Sequence, residues 1–211
     1  MHLVLSLAAV LGALAVGVIS PGPSFLMVAR TAVARSREEG VAAALGMGVG
    51  GMLFCILALV GLTTLIAAAP AAYFVFRVFG ALYLIYLGWR IWRGAGETLR
   101  DLAETTESEN SRRGAFARGL LTQVSNPKTA VVYGSVFAAL LPPHLPTIAA
   151  IVLPVVVFGL EAGWYAIVAL ALSAPAPRAT YLRAKTTIDR AAGSVMALLG
   201  AKLLYSAFEN R

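Results

Sequence analysis

Charge is what this sequence has least of. Only 13% of its 211 residues are Asp, Glu, Lys or Arg, about half the share usual in a soluble domain. Against that, 59% are apolar and the mean hydropathy is +0.81. So little polar surface cannot cover a water-facing globule. The apolar residues come in long runs, so the chain reads as an all-α polytopic membrane protein, with nothing left over for a soluble domain. Cysteine is also scarce. Cys55 stands alone in an apolar run, which excludes an intramolecular disulfide and a thiolate metal site. The two histidines, His2 and His144, are isolated. No GxxxxGK[ST] phosphate loop is present, so nothing points to an ATP-driven pump. No nucleophile–base cluster appears either. The chain is therefore expected to be no enzyme, and to use no metal and no cofactor.

Six apolar segments can be traced, over 3–29, 40–69, 72–92, 115–141, 147–173 and 191–208. A span takes about 20 apolar residues, and the sixth, which carries Lys202, is the shortest. The N-terminus lacks a basic leader region, so the first run reads as a retained span rather than a cleaved signal. Lys and Arg collect in three connections. Arg30, Arg35 and Arg37 follow the first segment. Arg90, Arg93, Arg100, Arg112, Arg113 and Arg118 surround the connection after the third, and Arg178, Arg183, Lys185 and Arg190 follow the fifth. Basic loops stay on the cytoplasmic side. The loops at 30–39, 90–118 and 174–190 are thus expected inside and the N-terminus outside, with six spans. Topology accounts for the net charge of +7 better than nucleic acid does, and no nucleic-acid partner is expected. The one long polar connection, 94–114, reads as a cytoplasmic linker between residues 1–93 and 115–211.

The two halves resemble each other. With Ser20 laid on Ser125, "VISPGPSFLMV" falls on "QVSNPKTAVVY". Each has a proline-containing break after Ser, then an apolar half-helix. Three spans per half make the second half an inverted copy of the first. In transporters so built, interrupted helices at matching positions mark the binding site.

Pro21-Gly22-Pro23 should unwind the first span, because an internal proline removes a helix hydrogen bond and clashes with the turn before it. Ser20 and Ser24 flank the break. The freed backbone groups must be buried in protein or line a wet cavity; a kink with a packing role only is the plainer alternative. The second break is Ser125-Asn126-Pro127-Lys128, with Asn126 placed to cap the half-helix that Pro127 opens. Gln123 adds polarity. Lys128 is a cation at membrane depth, which costs about 2.5–3.5 kcal/mol on insertion scales and calls for a partner in the bundle interior. Glu161 is the one acidic residue well inside a segment. Such carboxylates carry protons or bind cations, and a structural pair with Lys128 is the alternative. Trp164 and Tyr165 follow Glu161 and could shape a pocket, or pack towards lipid. "GMGVGG" at 46–51 reads as a close-packing helix face.

In their order and spacing, "SPGPSFLMVAR", "AALGMGVGG", "FGALYLIYLGWRIWRG", "FARGLLTQVSNPK", "EAGWY" and "IDRAAGSVMALLGAKLLYS" resemble the LysE/RhtB family of amino-acid exporters, over nearly the whole chain. The resemblance implies a bacterial inner-membrane protein that exports amino acids or close derivatives on the proton-motive force, and it admits a homodimer. Its expected partners are a small-molecule substrate, protons and the lipid bilayer. One departure stands out. Where members of this family often carry an acidic residue and a histidine in the second span, this chain has Gly51 and Phe54, which shifts weight onto Glu161. The expected site is Ser20, Pro21, Gly22, Pro23, Ser24, Gln123, Ser125, Asn126, Pro127, Lys128, Trp164 and Tyr165 for substrate, with Glu161 for proton coupling. Two other readings stay open beside it: export of another solute, such as a metal cation, and a non-transporting membrane assembly protein.

Overall fold

The computed structural model describes residues 2–20, 22–68, 70–94, 111–142 and 145–209. Residues 95–110 of the expected linker fall outside them, and so does Pro21. Among the described residues there are eight helices and no strand. They are α1 (His2–Ile19), α2 (Pro23–Ala34), α3 (Arg37–Ala68), α4 (Pro70–Arg93), α5 (Arg112–Val124), α6 (Pro127–Leu140), α7 (Thr147–Leu172) and α8 (Pro175–Glu209).

Both expected breaks form. α1 ends at the Ser20 N–H, bonded to the Val16 carbonyl at 3.1 Å. The chain restarts from Gly22 in an extended conformation, with Pro23 in the first turn of α2. The two helices meet at 56°. At the second break Asn126 caps α6, its Oδ1 accepting from the Lys128 N–H at 3.0 Å. Proline suits the first turn of each new helix because the missing N–H has no helical partner there.

Three helices are long and apolar enough to cross a membrane among the described residues: Arg37–Gly61, Thr147–Leu172 and Arg183–Glu209, with the bent α1–α2 pair a fourth if counted as one span. Large apolar side chains such as Val4, Ile148 and Leu198 lie at least 70% exposed, the outward face a lipid solvent allows. The chain is thus a multi-pass membrane protein. Two expectations change. The stretch 174–190 is not a loop, because α8 runs unbroken from Pro175. Pro175 and Pro177 fall in its first turn, where proline is tolerated, and Lys185 pairs with Asp189 one turn on at 2.8 Å. The candidate span in α8, Arg183–Glu209, consequently starts ahead of the expected apolar run at 191–208. The loop at 30–39 is also short, with only residues 35–36 between α2 and α3.

Packing runs through small residues. In lipid, helices associate by close contact rather than by hydrophobic expulsion from water. A side chain at Gly46 would collide with the Phe116 carbonyl of α5, and one at Gly119 with the Ala43 carbonyl of α3. Gly88 and Gly193 meet reciprocally: a Cβ on either would lie 2.5 or 2.6 Å from the other's carbonyl oxygen. Gly200 sits against Ala81 and Ile85, so α4 and α8 run antiparallel. Gly40 against Ala169 and Gly48 against Ala162 give α3 and α7 the same relation. Ion pairs of Glu39 with Arg35 and Arg118, both at 3.7 Å, and of Glu38 with Arg112, tie α2, α3 and α5 at one end.

Two apolar clusters result. One gathers Val10, Leu14, Leu84, Phe137 and Met196. The other gathers Phe25, Val28, Ala44, Met47 and Val168. The polar residues of both breaks lie where α1, α2, α5, α6 and α7 converge.

Candidate functional site

A continuous hydrogen-bonded chain joins the two breaks. The Asn126 amide donates to Ser24 Oγ at 3.0 Å, and Ser24 Oγ donates to Gln123 Oε1 at 2.6 Å. Gln123 Nε2 then donates to Glu161 Oε2 at 2.9 Å, and the Tyr133 hydroxyl donates to Glu161 Oε1 at 2.9 Å. Every link in this chain is buried. The first two residues come from the starts of α2 and α6, and Gln123 from the last turn of α5. Glu161 comes from the middle of α7. Four helix segments thus converge on one carboxylate, which is 1% exposed. Both its oxygens accept, as an ionised carboxylate does. Hydrogen bonds to a charged group contribute about 1.5–3 kcal/mol each, enough to fix the side chain but not to repay full desolvation of a lone ion.

The room for Glu161 comes from α3. A Cβ on Gly51 would lie 2.7 Å from Glu161 Cγ and 3.0 Å from the Tyr133 hydroxyl. Gly51 is therefore the gap into which the carboxylate of α7 fits. The Tyr133 ring packs on Phe54 at 5.9 Å and stacks on Phe137 at 6.1 Å between centroids.

Lys128 does not pair directly with Glu161. Its ammonium donates to the Ser20 carbonyl at 2.8 Å, at the C-terminal end of α1, where the helix dipole is negative. Glu161 and Asp189 act on it from further away. Lys128 thus fastens the second break onto the first.

These groups border a cavity of about 20 Å3, room for about one water molecule. Of the residues expected at the site, Ser20, Gly22, Ser24, Gln123, Asn126, Lys128, Glu161 and Tyr165 line it. Tyr165 is buried beside Ser24. Trp164 packs partly buried against the second apolar cluster instead, and its indole N–H is buried without a hydrogen-bond partner. Ser125 and Pro23 are exposed; Pro23 serves by opening α2, as Pro127 opens α6. Sequence reasoning missed Tyr133 and Thr129. A signal existed, because Asn126, Thr129 and Tyr133 recur at i, i+3 and i+7 and so share one face of α6. Among the described residues no group of three or more His, Cys, Asp or Glu converges.

A family model described as LysE type translocator matches residues 15–207. The chain belongs to the LysE translocator family. The match spans both breaks and the whole polar chain between them. Among curated relatives, the threonine efflux protein of Escherichia coli K12 is 33% identical over 192 residues, covering 90% of this chain and 93% of that protein. The threonine efflux protein of Salmonella typhimurium matches to the same extent. The uncharacterized membrane protein YahN of Escherichia coli is 28% identical over 91% of this chain and 86% of its own length. No solved structure matches. Family membership agrees with the resemblance read from the sequence motifs, and makes the protein a transporter of the membrane.

Proposed function

We propose that the protein exports an amino acid with a short polar side chain, or a close derivative, across the bacterial inner membrane in exchange for protons. The observation that carries this reading is the buried Glu161 carboxylate, held by Gln123 and Tyr133 where the two broken helices meet. The threonine efflux relatives support the substrate class.

An α-amino acid brings one cation and one anion. In this reading its carboxylate meets Lys128 and the N-terminal ends of α2 and α6, where helix dipoles are positive. Its ammonium meets Glu161, and Ser24, Asn126 and Tyr165 take the polar side chain. A proton competes with the ammonium for Glu161. Gln123 can only donate from Nε2, so a protonated Glu161 must present its proton to the Tyr133 hydroxyl, which can turn and accept. One site holding either substrate or proton is an exchange mechanism.

The cavity must widen to admit an amino acid. An inverted repeat supplies the motion, one half rocking against the other around the fixed site. The pairing of α3 with α7 and α4 with α8, each antiparallel, supports relating residues 1–93 to 115–211 in this way, as six spans with α1–α2 and α5–α6 each one broken span. The basic ends of α2, α4, α5 and α8 are then cytoplasmic by the positive-inside rule.

The test is transport of labelled threonine by purified protein in liposomes under an imposed pH gradient. Glu161→Gln keeps the shape and loses the titratable group, so gradient-driven flux should fall about a hundredfold while the protein stays folded. Full gradient-driven flux in that variant would sink the assignment.

A further inference from the structure

Asp189 lies outside the site just described, yet it has the features of a working group. It is 3% exposed and lies near the basic start of the candidate span Arg183–Glu209 of α8. Its Oδ2 accepts from the Lys185 ammonium at 2.8 Å. Its Oδ1 is buried and accepts no hydrogen bond. An unsatisfied buried oxygen on a charged group is expensive, and such groups call for a catalytic or transport role or an absent ligand. Lys128 of α6 acts electrostatically on Asp189 as well as on Glu161. The surrounding elements bring little else. α1 has no ionisable residue from Leu3 to Ile19, α7 has Glu161 and Tyr165, and α6 has Lys128 and Tyr133. On the α4 side Arg93 sits over the Trp89 ring at 5.2 Å, and Arg190 of α8 over Trp92 at 5.9 Å, so these cations are engaged on aromatic faces. Lys128 and Lys185 are the cations that act on Asp189.

We propose that Asp189 is a second coupling carboxylate, which receives the proton that Glu161 releases and delivers it to the basic end of α8. The proposal rests on the proton-exchange reading above. The step balances simply. Glu161 goes from carboxylic acid to carboxylate, and Asp189 takes the proton on Oδ1 and goes from carboxylate to carboxylic acid. The relay requires water between the two carboxylates, and the cavity beside Glu161 has room for about one; Asp189 then loses the proton to water beside Lys185. Lys128 acts electrostatically on both carboxylates between which the proton passes. Intramembrane carboxylates in series with a cation are the parts of a proton relay.

The experiment compares two fluxes of labelled threonine through the protein in liposomes. One is threonine–threonine exchange without a gradient, which moves no net proton. The other is flux driven by an imposed pH gradient. Asp189→Asn should exchange threonine near the wild-type rate and lose about a hundredfold of driven flux. Asp189→Glu should restore the driven flux. Equal loss of both fluxes, driven flux intact in Asp189→Asn, or no rescue by Asp189→Glu each overturns the proposal. A wild type that exchanges threonine but ignores the gradient overturns the proton-exchange reading, and the proposal with it. Should the wild type not exchange threonine, infrared pH titration of the protein in lipid decides. Loss of a protonatable carboxyl band in Asp189→Asn supports the relay, and an unchanged spectrum overturns it.

Discussion

Gly51→Ala should disable the protein by adding one methyl group. The new Cβ would stand 2.7 Å from Glu161 Cγ, 3.0 Å from Glu161 Cδ and 3.0 Å from the Tyr133 hydroxyl. Carbon atoms rest about 3.5–4.0 Å apart, so something must give by roughly 1 Å. The carboxylate cannot retreat freely, since Gln123 and Tyr133 hold its two oxygens. α3 and α7 cannot separate freely either, because Gly40 and Gly48 seat them against each other along their length. Overpacking of this kind costs about 1–3 kcal/mol, and removing a helical glycine returns about 0.5–1 kcal/mol. The net is a loss of about 0–2.5 kcal/mol, a shift of a few degrees in melting temperature. Transport should suffer more, since a displacement near 1 Å at a reacting group costs about a hundredfold. Glu161→Ala removes the atoms that collide, so the stability cost of Gly51→Ala should vanish in the double variant, a coupling of about 0.5–3 kcal/mol. Melting in detergent and threonine exchange in liposomes measure both effects. Wild-type exchange and melting in Gly51→Ala, or simple additivity in the double variant, would refute the reasoning.

Two further outcomes are expected. In the proposed exchange the Tyr133 hydroxyl takes the proton of Glu161, so in Tyr133→Phe gradient-driven threonine flux should fall well below exchange, with about 1.5–3 kcal/mol of stability lost with the hydrogen bond; equal effects on driven flux and exchange would count against the hydroxyl's role. Gly46→Ala should fail to give a monodisperse folded protein on size exclusion, because its Cβ meets the Phe116 carbonyl and the Leu120 nitrogen of α5, backbone atoms that cannot rotate away; a well-behaved variant would contradict the α3–α5 contact.

Much of the site is legible in the sequence. The breaks at Ser20–Pro23 and Ser125–Lys128 follow from proline chemistry, which is local, and Asn126 caps α6 as its type and place require. Glu161 and Lys128 stood out because ionisable groups at membrane depth are costly. What misled was also local. The charges of 174–190 suggested a loop, but helix propensity and the Lys185–Asp189 pair carry α8 straight through them. The sequence-stretch that hid Asp189 did so because its own neighbours are polar; only the burial supplied by other helices sets it apart.

The linear order of residues, then, determined the class of protein, the places where helices break and the family, because hydropathy, proline and motif spacing are properties of neighbours along the chain. Which side chains meet was decided by tertiary structure alone. Gly51 is a gap only because α7 lays Glu161 into it. Ser24 and Gln123, 99 residues apart in sequence, touch only because two broken helices cross. Lys128 finds a carbonyl where a carboxylate was expected, because the end of α1 is brought beside it.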